Sequence, residues 1–213
     1  MLQIKTFAFN PLFVNCYVIH DSKEALIVDP SCYFENEQKQ LEQFIEENNL
    51  DVKHLVVTHF HFDHLMGAAF VSSRWQVPLS AHKDYVYLAG NFDISTQSLY
   101  FGFQVKNPPK PKILLEDGDI ITIGKNELKV IHVPGHSLCG ICLYNEQSKL
   151  LITGDTLFEG GIGRTDLTGG DLQQLLENIR RKLLILPDDT VVFPGHGSST
   201  TIQQEKLYNT FIG

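Results

Sequence analysis

The chain has 213 residues, 43% of them hydrophobic, and a formal net charge of −8, enough apolar material for a substantial core. The negative balance argues against phosphate-backbone binding as the main task, because counterion displacement needs a basic face. Four cysteines are too few for a disulfide scaffold, Lys5 and Asn10 break up the opening "MLQIKTFAFNPLF" where a signal peptide needs an unbroken apolar run, and no later run reaches the length of a membrane span, so a cytoplasmic location is expected.

In chain order, "LQIKTFAF", "NCYVIH" and "ALIVD" read as strands separated by turn residues at Asn10-Pro11 and Asp21-Ser22. "FENEQKQLEQFIEENN" places Phe34, Leu41, Phe44 and Ile45 at helical spacing among charges and is expected to pack on that sheet. "HLVVT" reads as a buried strand, and "HLMGAAFVSSRW" as a helix for which Asp63 is the expected N-cap. Residues 90–112 mix aromatics with a proline-rich end and read as an excursion whose tip covers a site. "DIITIG", "LKVIHV", "ICLYN" and "LLITGD" resume the strands; a helix at "GDLQQLLENIRRKLLIL", a strand at "TVVFPG" and a short helix follow. Strands in groups, each group followed by a helix, predict an α/β or α+β layered fold with more than one sheet.

The chemistry centres on "THFHFDH", which holds His59, His61, Asp63 and His64. Residues two apart at a strand end point the same way, so His59 and His61 can offer nitrogens to one point while Asp63 and His64 face a second. A solvated histidine-rich loop is the alternative. Three further strand ends run into glycine-containing turns that deliver His136, Asp155 and His196, one candidate ligand each.

The pattern H-x-H-x-D-H followed by a lone His, a lone Asp and another lone His resembles the metallo-β-lactamase superfamily over nearly the whole chain. The resemblance implies a four-layer αββα sandwich spanning residues 1–213, with two divalent metal ions at one edge of the sheets. It also implies that His59, His61 and His136 hold one ion, that Asp63, His64 and His196 hold the other, and that Asp155 bridges them. Imidazole and carboxylate ligands suit zinc, and equally iron or manganese. Two such cations lower the pKa of a water between them to about 7, so no serine or cysteine nucleophile is required, and Asp63 is placed to orient that water and handle its proton.

The stretch "TGDTLFEGGIGRTDLTGGD" resembles the short bacterial relatives of glyoxalase II, which hydrolyse thioesters such as lactoylglutathione. Many β-lactamases of the superfamily carry cysteine where this chain has Asp155, which turns the expectation away from antibiotics. Full-length glyoxalase II has a substrate-contacting lysine at the position of Arg164, tyrosines at those of Asp166 and Ser198, and a further helical domain with no counterpart here. Arg164 is therefore read either as a substrate contact, through bidentate pairing with a carboxylate, or as the partner of Asp166. Persulfide dioxygenases share the Gly-Arg-Thr-Asp stretch and bind a single iron through residues matching His59, His136 and Asp155, which makes sulfur oxygenation the alternative activity. The expected partner is a small thioester, with a glutathione-derived one as the candidate that the resemblance implies, and neither nucleic acid nor membrane is expected.

Several residues have a plain and a functional reading. Cys139 and Cys142 form "CGIC", either a reactive pair or strand thiols, and Cys16 and Cys32 read as core thiols. His20, His54, His82 and His132 read as strand or surface histidines. Asp29 is either a turn aspartate or an acceptor for a ligand imidazole. Tyr85, Tyr87 and the aromatics of residues 99–103 either pack in the core or line a cleft.

Overall fold

The computed structural model describes residues 2–89 and 93–212. The first sheet takes β1 (Gln3–Phe9), β2 (Val14–His20), β3 (Glu24–Val28), β4 (Asp51–Val56), β5 (Leu79–His82) and β6 (Ile113–Leu115) in that spatial order. It is antiparallel through β1, β2 and β3 and parallel from β3 to β6. The second sheet begins with β7 (Ile120–Ile123), β8 (Asn126–His132), β9 (Ile141–Asn145) and β10 (Leu150–Gly154). A small hairpin of β11 (Leu157–Phe158) and β12 (Gly161–Ile162) follows, and β13 (Val191–Pro194) and β14 (Thr200–Thr201) complete the second sheet in the order β14-β13-β10-β9-β8-β7. Because β8 and β10 both run antiparallel to β9, and β13 runs parallel to β10, these three strands end at the same edge.

The period-two alternation of each strand sorts its side chains into separate layers. Cys16, Val18, Ala25 and Ile27 face one helical layer, while Tyr17, Ile19, Leu26 and Val28 face the other sheet. Leu128, Val130, Leu143 and Ile152 meet them from the second sheet, and Ile131, Cys142 and Leu151 turn outward to the second helical layer. The outer layers are α1 (Glu35–Glu47) and α2 (Ala68–Trp75) on the first sheet, and α5 (Leu172–Asn178) and α6 (Ile202–Tyr208) on the second. The short helices α3 (Tyr85–Ala89) and α4 (Ile94–Tyr100) lie between α2 and α5 in the chain. The expected four-layer αββα sandwich is what forms.

The first helix starts where Glu37 reaches back to accept hydrogen bonds from the N–H groups of Tyr33, Phe34 and Asn10 at 2.7 to 2.9 Å, tying the helix to the β1–β2 turn. The fifth helix, α5 (Leu172–Asn178), is capped by Asp171 accepting from the Gln174 N–H. It runs into a π-helical turn over Ile179–Leu183, so that Leu175, Ile179 and Leu183 present one apolar stripe to the second sheet; α6 (Ile202–Tyr208) adds Ile202.

One expectation fails at the centre of the motif. Asp63 does not cap a long helix: a single tight 3-10 turn covers Phe62–Leu65, and α2 starts only at Ala68 after Gly67. The reason is packing. The Gly67 N–H donates to the Pro30 carbonyl at 2.7 Å, and a β-carbon there would collide with the Cys32 sulfur. The tight turn leaves the Asp63 carboxylate free to face histidines instead of backbone amides. The strands β5 and β6 and the helices α3 and α4 were not read from the sequence. Within the 90–112 excursion, residues 90–92 lie outside the described residues, while residues 94–100 form a helix.

Candidate metal centre

Seven titratable side chains converge where strands from both sheets end. His59 and His61 follow β4, Asp63 and His64 sit on the tight turn, His136 follows β8, Asp155 follows β10 and His196 follows β13. The sheets are stitched together at this edge. The Ile141 N–H donates to the Thr58 carbonyl at 2.8 Å, Asn15 donates from its backbone to Gly195 and from its side chain to Pro194 and Gly197, and the Tyr17 hydroxyl donates to Pro194 at 2.6 Å.

Four imidazoles are aimed by an acceptor behind their Nδ1 atoms. The Asp29 carboxylate, buried at the end of β3, accepts from the Thr58 N–H at 2.7 Å and the Thr58 hydroxyl at 2.8 Å. Because that hydroxyl spends its proton on Asp29, it can only accept from His59 Nδ1, 3.0 Å away. His64 Nδ1 donates to Asp29 at 3.0 Å, His136 Nδ1 to the Arg164 carbonyl at 2.7 Å, and His196 Nδ1 to the Leu12 carbonyl at 3.0 Å. In the neutral ring each tautomer is thereby set with a bare Nε2 pointing inward. His61 differs, presenting Nδ1 at 3.1 Å from His136 Nε2.

The inward atoms are left wanting. His59 Nε2, His64 Nε2 and Asp155 Oδ1 are buried without a hydrogen-bond partner, a costly arrangement unless something else pairs with them. The atoms of His59, His61 and His136 lie within 4.8 Å of one another, as do those of His59, His64 and Asp155 and those of Asp63, His64 and His196. Facing lone pairs about 3 Å apart suit two ligands of one cation at 2.0 to 2.1 Å from each nitrogen. The donors present therefore fit divalent metal.

The electrostatics agree. Burial and the neighbouring His64, His61 and His136 push His59 well below the ordinary histidine pKa, and burial together with His136 takes His61 down to about 4. Burial opposes charge on His64 as well, but Asp155, Asp63 and Asp29 outweigh it and hold that imidazole well above its ordinary value. Burial raises Asp155, yet the surrounding His64, His196 and His136 bring it far below the usual carboxylate range. The carboxylates thus draw positive charge to the points where the bare nitrogens converge.

All seven residues singled out in the sequence meet here. Arg164 lines the same cavity, but its guanidinium is held by Asp166 through two hydrogen bonds of 2.7 Å, so the internal pairing is the one present. Tyr100 and Phe101 line the cavity, whereas Tyr85 is packed in the core. Cys139 packs in the layer under the first sheet and Cys142 in the layer under the second, so "CGIC" faces two ways and burial raises the thiols to about 11 and about 12. His82, Asp84 and His132 form another cluster, but the two rings stack at 3.7 Å with planes 15° apart, so their in-plane lone pairs cannot converge on one ion. Sequence reasoning missed Thr58, although its position directly before the first ligand candidate was a signal, and missed the Leu12 and Arg164 carbonyls, which carry no side-chain signature.

Residues 9–196 match the metallo-beta-lactamase superfamily. The chain belongs to that superfamily, whose general chemistry is metal-dependent hydrolysis. It is 37% identical over 202 residues to hydroxyacylglutathione hydrolase GloC of Haemophilus influenzae, covering 93% of this chain and 92% of that one. Among solved structures, the BLEG-1 B3 metallo-beta-lactamase superposes with a TM-score of 0.89 at 33% identity, covering 99% of each chain. TTHA1623 in a di-iron-bound form gives 0.86 at 30% identity over 97% and 99%, and ETHE1 from Myxococcus xanthus gives 0.78 at 25% over 98% and 83%. In this superfamily member, no helix among the described residues is long and apolar enough to cross a membrane.

Two substitutions probe the superfamily site. Asp29→Ala removes the acceptor that aims His64 directly and His59 through Thr58; metal affinity is expected to fall 10- to 100-fold, read by competition with a chromogenic chelator. Gly195→Ala drives a methyl group into Asp155 Oδ1 and to 2.7 Å from His64 Cε1. It is expected to destabilise the protein by about 1–3 kcal/mol in urea and to reduce the metal retained after dialysis.

Proposed function

We propose that this protein is a thioester hydrolase of glyoxalase II type, holding two divalent cations. His59, His61 and His136 would hold one ion and Asp63, His64 and His196 the other, with Asp155 between them. The observation that carries this reading is the set of buried atoms without hydrogen-bond partners on His59, His64 and Asp155, directly behind the open cavity that Asp155 lines with His61, Asp63, His136 and His196. When bound, the ions supply Lewis acidity, polarising a carbonyl and making water reactive at neutral pH.

The chain's own residues do the rest. Asp63 has Oδ2 3.5 Å from His196 Nε2 and 3.8 Å from His64 Nε2, and burial, which raises it, is overcome by those histidines, so it stands ionised. In this reading Asp63 takes a proton from the attacking water as the water oxygen bonds to the acyl carbon. The carbon–sulfur bond then breaks, and the proton leaves with the thiol. The thioester half of the proposal draws on the likeness to GloC, and zinc, iron and manganese all suit the donors. Four buried free thiols accord with a reducing cytoplasm.

The test is a panel of acyl substrates with the metal-loaded protein, including lactoylglutathione and a β-lactam, followed by titration of released thiol. One thiol per thioester consumed is expected. Silence on every thioester would remove the proposal. The alternative, a mononuclear-iron persulfide dioxygenase using His59, His136 and Asp155, rests on the stretch "GRTD" and the likeness to ETHE1.

A further inference from the structure

The cavity above the metal centre has a volume of about 460 Å³, and its walls differ sharply from its floor. The floor is His61, Asp63, His136, Asp155 and His196; the walls are largely Leu12, Phe60, Phe62, Tyr100, Phe101 and Leu167. These walls come from separate parts of the chain: the β1–β2 turn, the residues around the histidine motif, α4 and the residue after it, and the loop before α5. Phe101 stacks on Phe62 with ring centroids 5.0 Å apart and planes 24° from parallel, and Phe62 also meets Phe103 at 5.9 Å. Phe101 remains 57% exposed and Tyr100 81%, so both rings keep a face for a ligand. Arg164 is the one lining residue among those described that is always cationic, and Asp166 already neutralises it through two hydrogen bonds. Glu159 adds a negative charge to the adjoining recess.

A glutathione thioester carries two carboxylates on its leaving group. In this cavity they would meet aromatic walls and a guanidinium that has its own carboxylate, and moving a carboxylate from water to such surroundings without a partner is unfavourable. An uncharged aromatic or branched aliphatic group would instead bury apolar surface against Phe62, Phe101 and Leu167.

We propose that the preferred substrate is a thioester whose thiol portion is uncharged and apolar, seated against the stacked Phe62–Phe101 pair and Leu167 while the carbonyl lies over the His/Asp cluster. This deepens the thioesterase reading and rests on it. The matched probes are lactoyl thioesters of benzyl mercaptan and of glutathione, which share the acyl group and differ in the thiol. With the metal-loaded protein, kcat/KM is expected to be at least tenfold higher for the benzyl thioester, and Phe101→Ala is expected to reduce that preference below threefold.

Binding is read independently of turnover by saturation-transfer NMR on the full chain, with benzyl methyl sulfide and S-methylglutathione as non-hydrolysable probes. Saturation of the benzyl ring, lost in Phe101→Ala, is expected, with little transfer to S-methylglutathione. The wild-type comparison decides the matter even if the variant fails to fold. Equal or faster hydrolysis of lactoylglutathione, or no saturation of the benzyl ring, overturns this inference and leaves the thioesterase reading standing. Hydrolysis of neither thioester overturns both.

Discussion

Removing divalent cations with a chelator is expected to abolish hydrolysis and to lower the melting temperature by roughly 8–16 °C. The stability change follows from linkage: a cation at about a thousand times its dissociation constant stabilises the native state by about 4 kcal/mol. For a chain of this size each kcal/mol shifts the midpoint by about 2–4 °C. The structural reason is the same set of buried atoms, since without cations His59 Nε2 has no hydrogen-bond partner and His64 Nε2 and Asp155 Oδ1 have only each other, at 3.4 Å. Differential scanning calorimetry before and after chelation, with restoration by added zinc, iron or manganese, checks the effect. Full activity in rigorously metal-free protein would contradict it.

Asp63→Asn is expected to lower kcat/KM at least 100-fold, about 2.7 kcal/mol of transition-state stabilisation. The substitution keeps shape and one carbonyl oxygen but removes the carboxylate base. Asp63 is suited to a proton because its position on the tight turn, rather than as a helix cap, keeps its carboxylate beside His64 and His196. Metal content is measured alongside the kinetics, so that a slow variant with both ions retained reports the proton role itself. Unchanged turnover with metals retained removes that role.

Much of this was legible in the sequence because strand alternation and ligand spacing are local properties. Val18 and Ile19, or Leu26 and Ile27, announce a sheet buried on both faces, and "THFHFDH" announces a centre whose partners come from three later strand ends. What stayed hidden depends on distant packing. Nothing near Asp63 in the sequence reveals that Gly67 must sit against Cys32 and Pro30, which shortens the turn and moves the helix start to Ala68. The short strands β5 and β6, four and three residues long, carry too few residues for a periodic signal. Asp29 had two equal readings until its carboxylate was found behind both Thr58 and His64. Arg164 shows the opposite limit: its side chain pairs locally with Asp166 while its carbonyl, invisible to motif reasoning, aims His136.

The most direct test is metal analysis of protein purified without oxygen, with parallel assays of thioester hydrolysis and of persulfide-dependent oxygen uptake on the same sample. Two divalent ions per chain with thiol release from a thioester and no oxygen uptake are predicted. One iron per chain, with persulfide-dependent oxygen uptake and no thioesterase activity, would contradict the account.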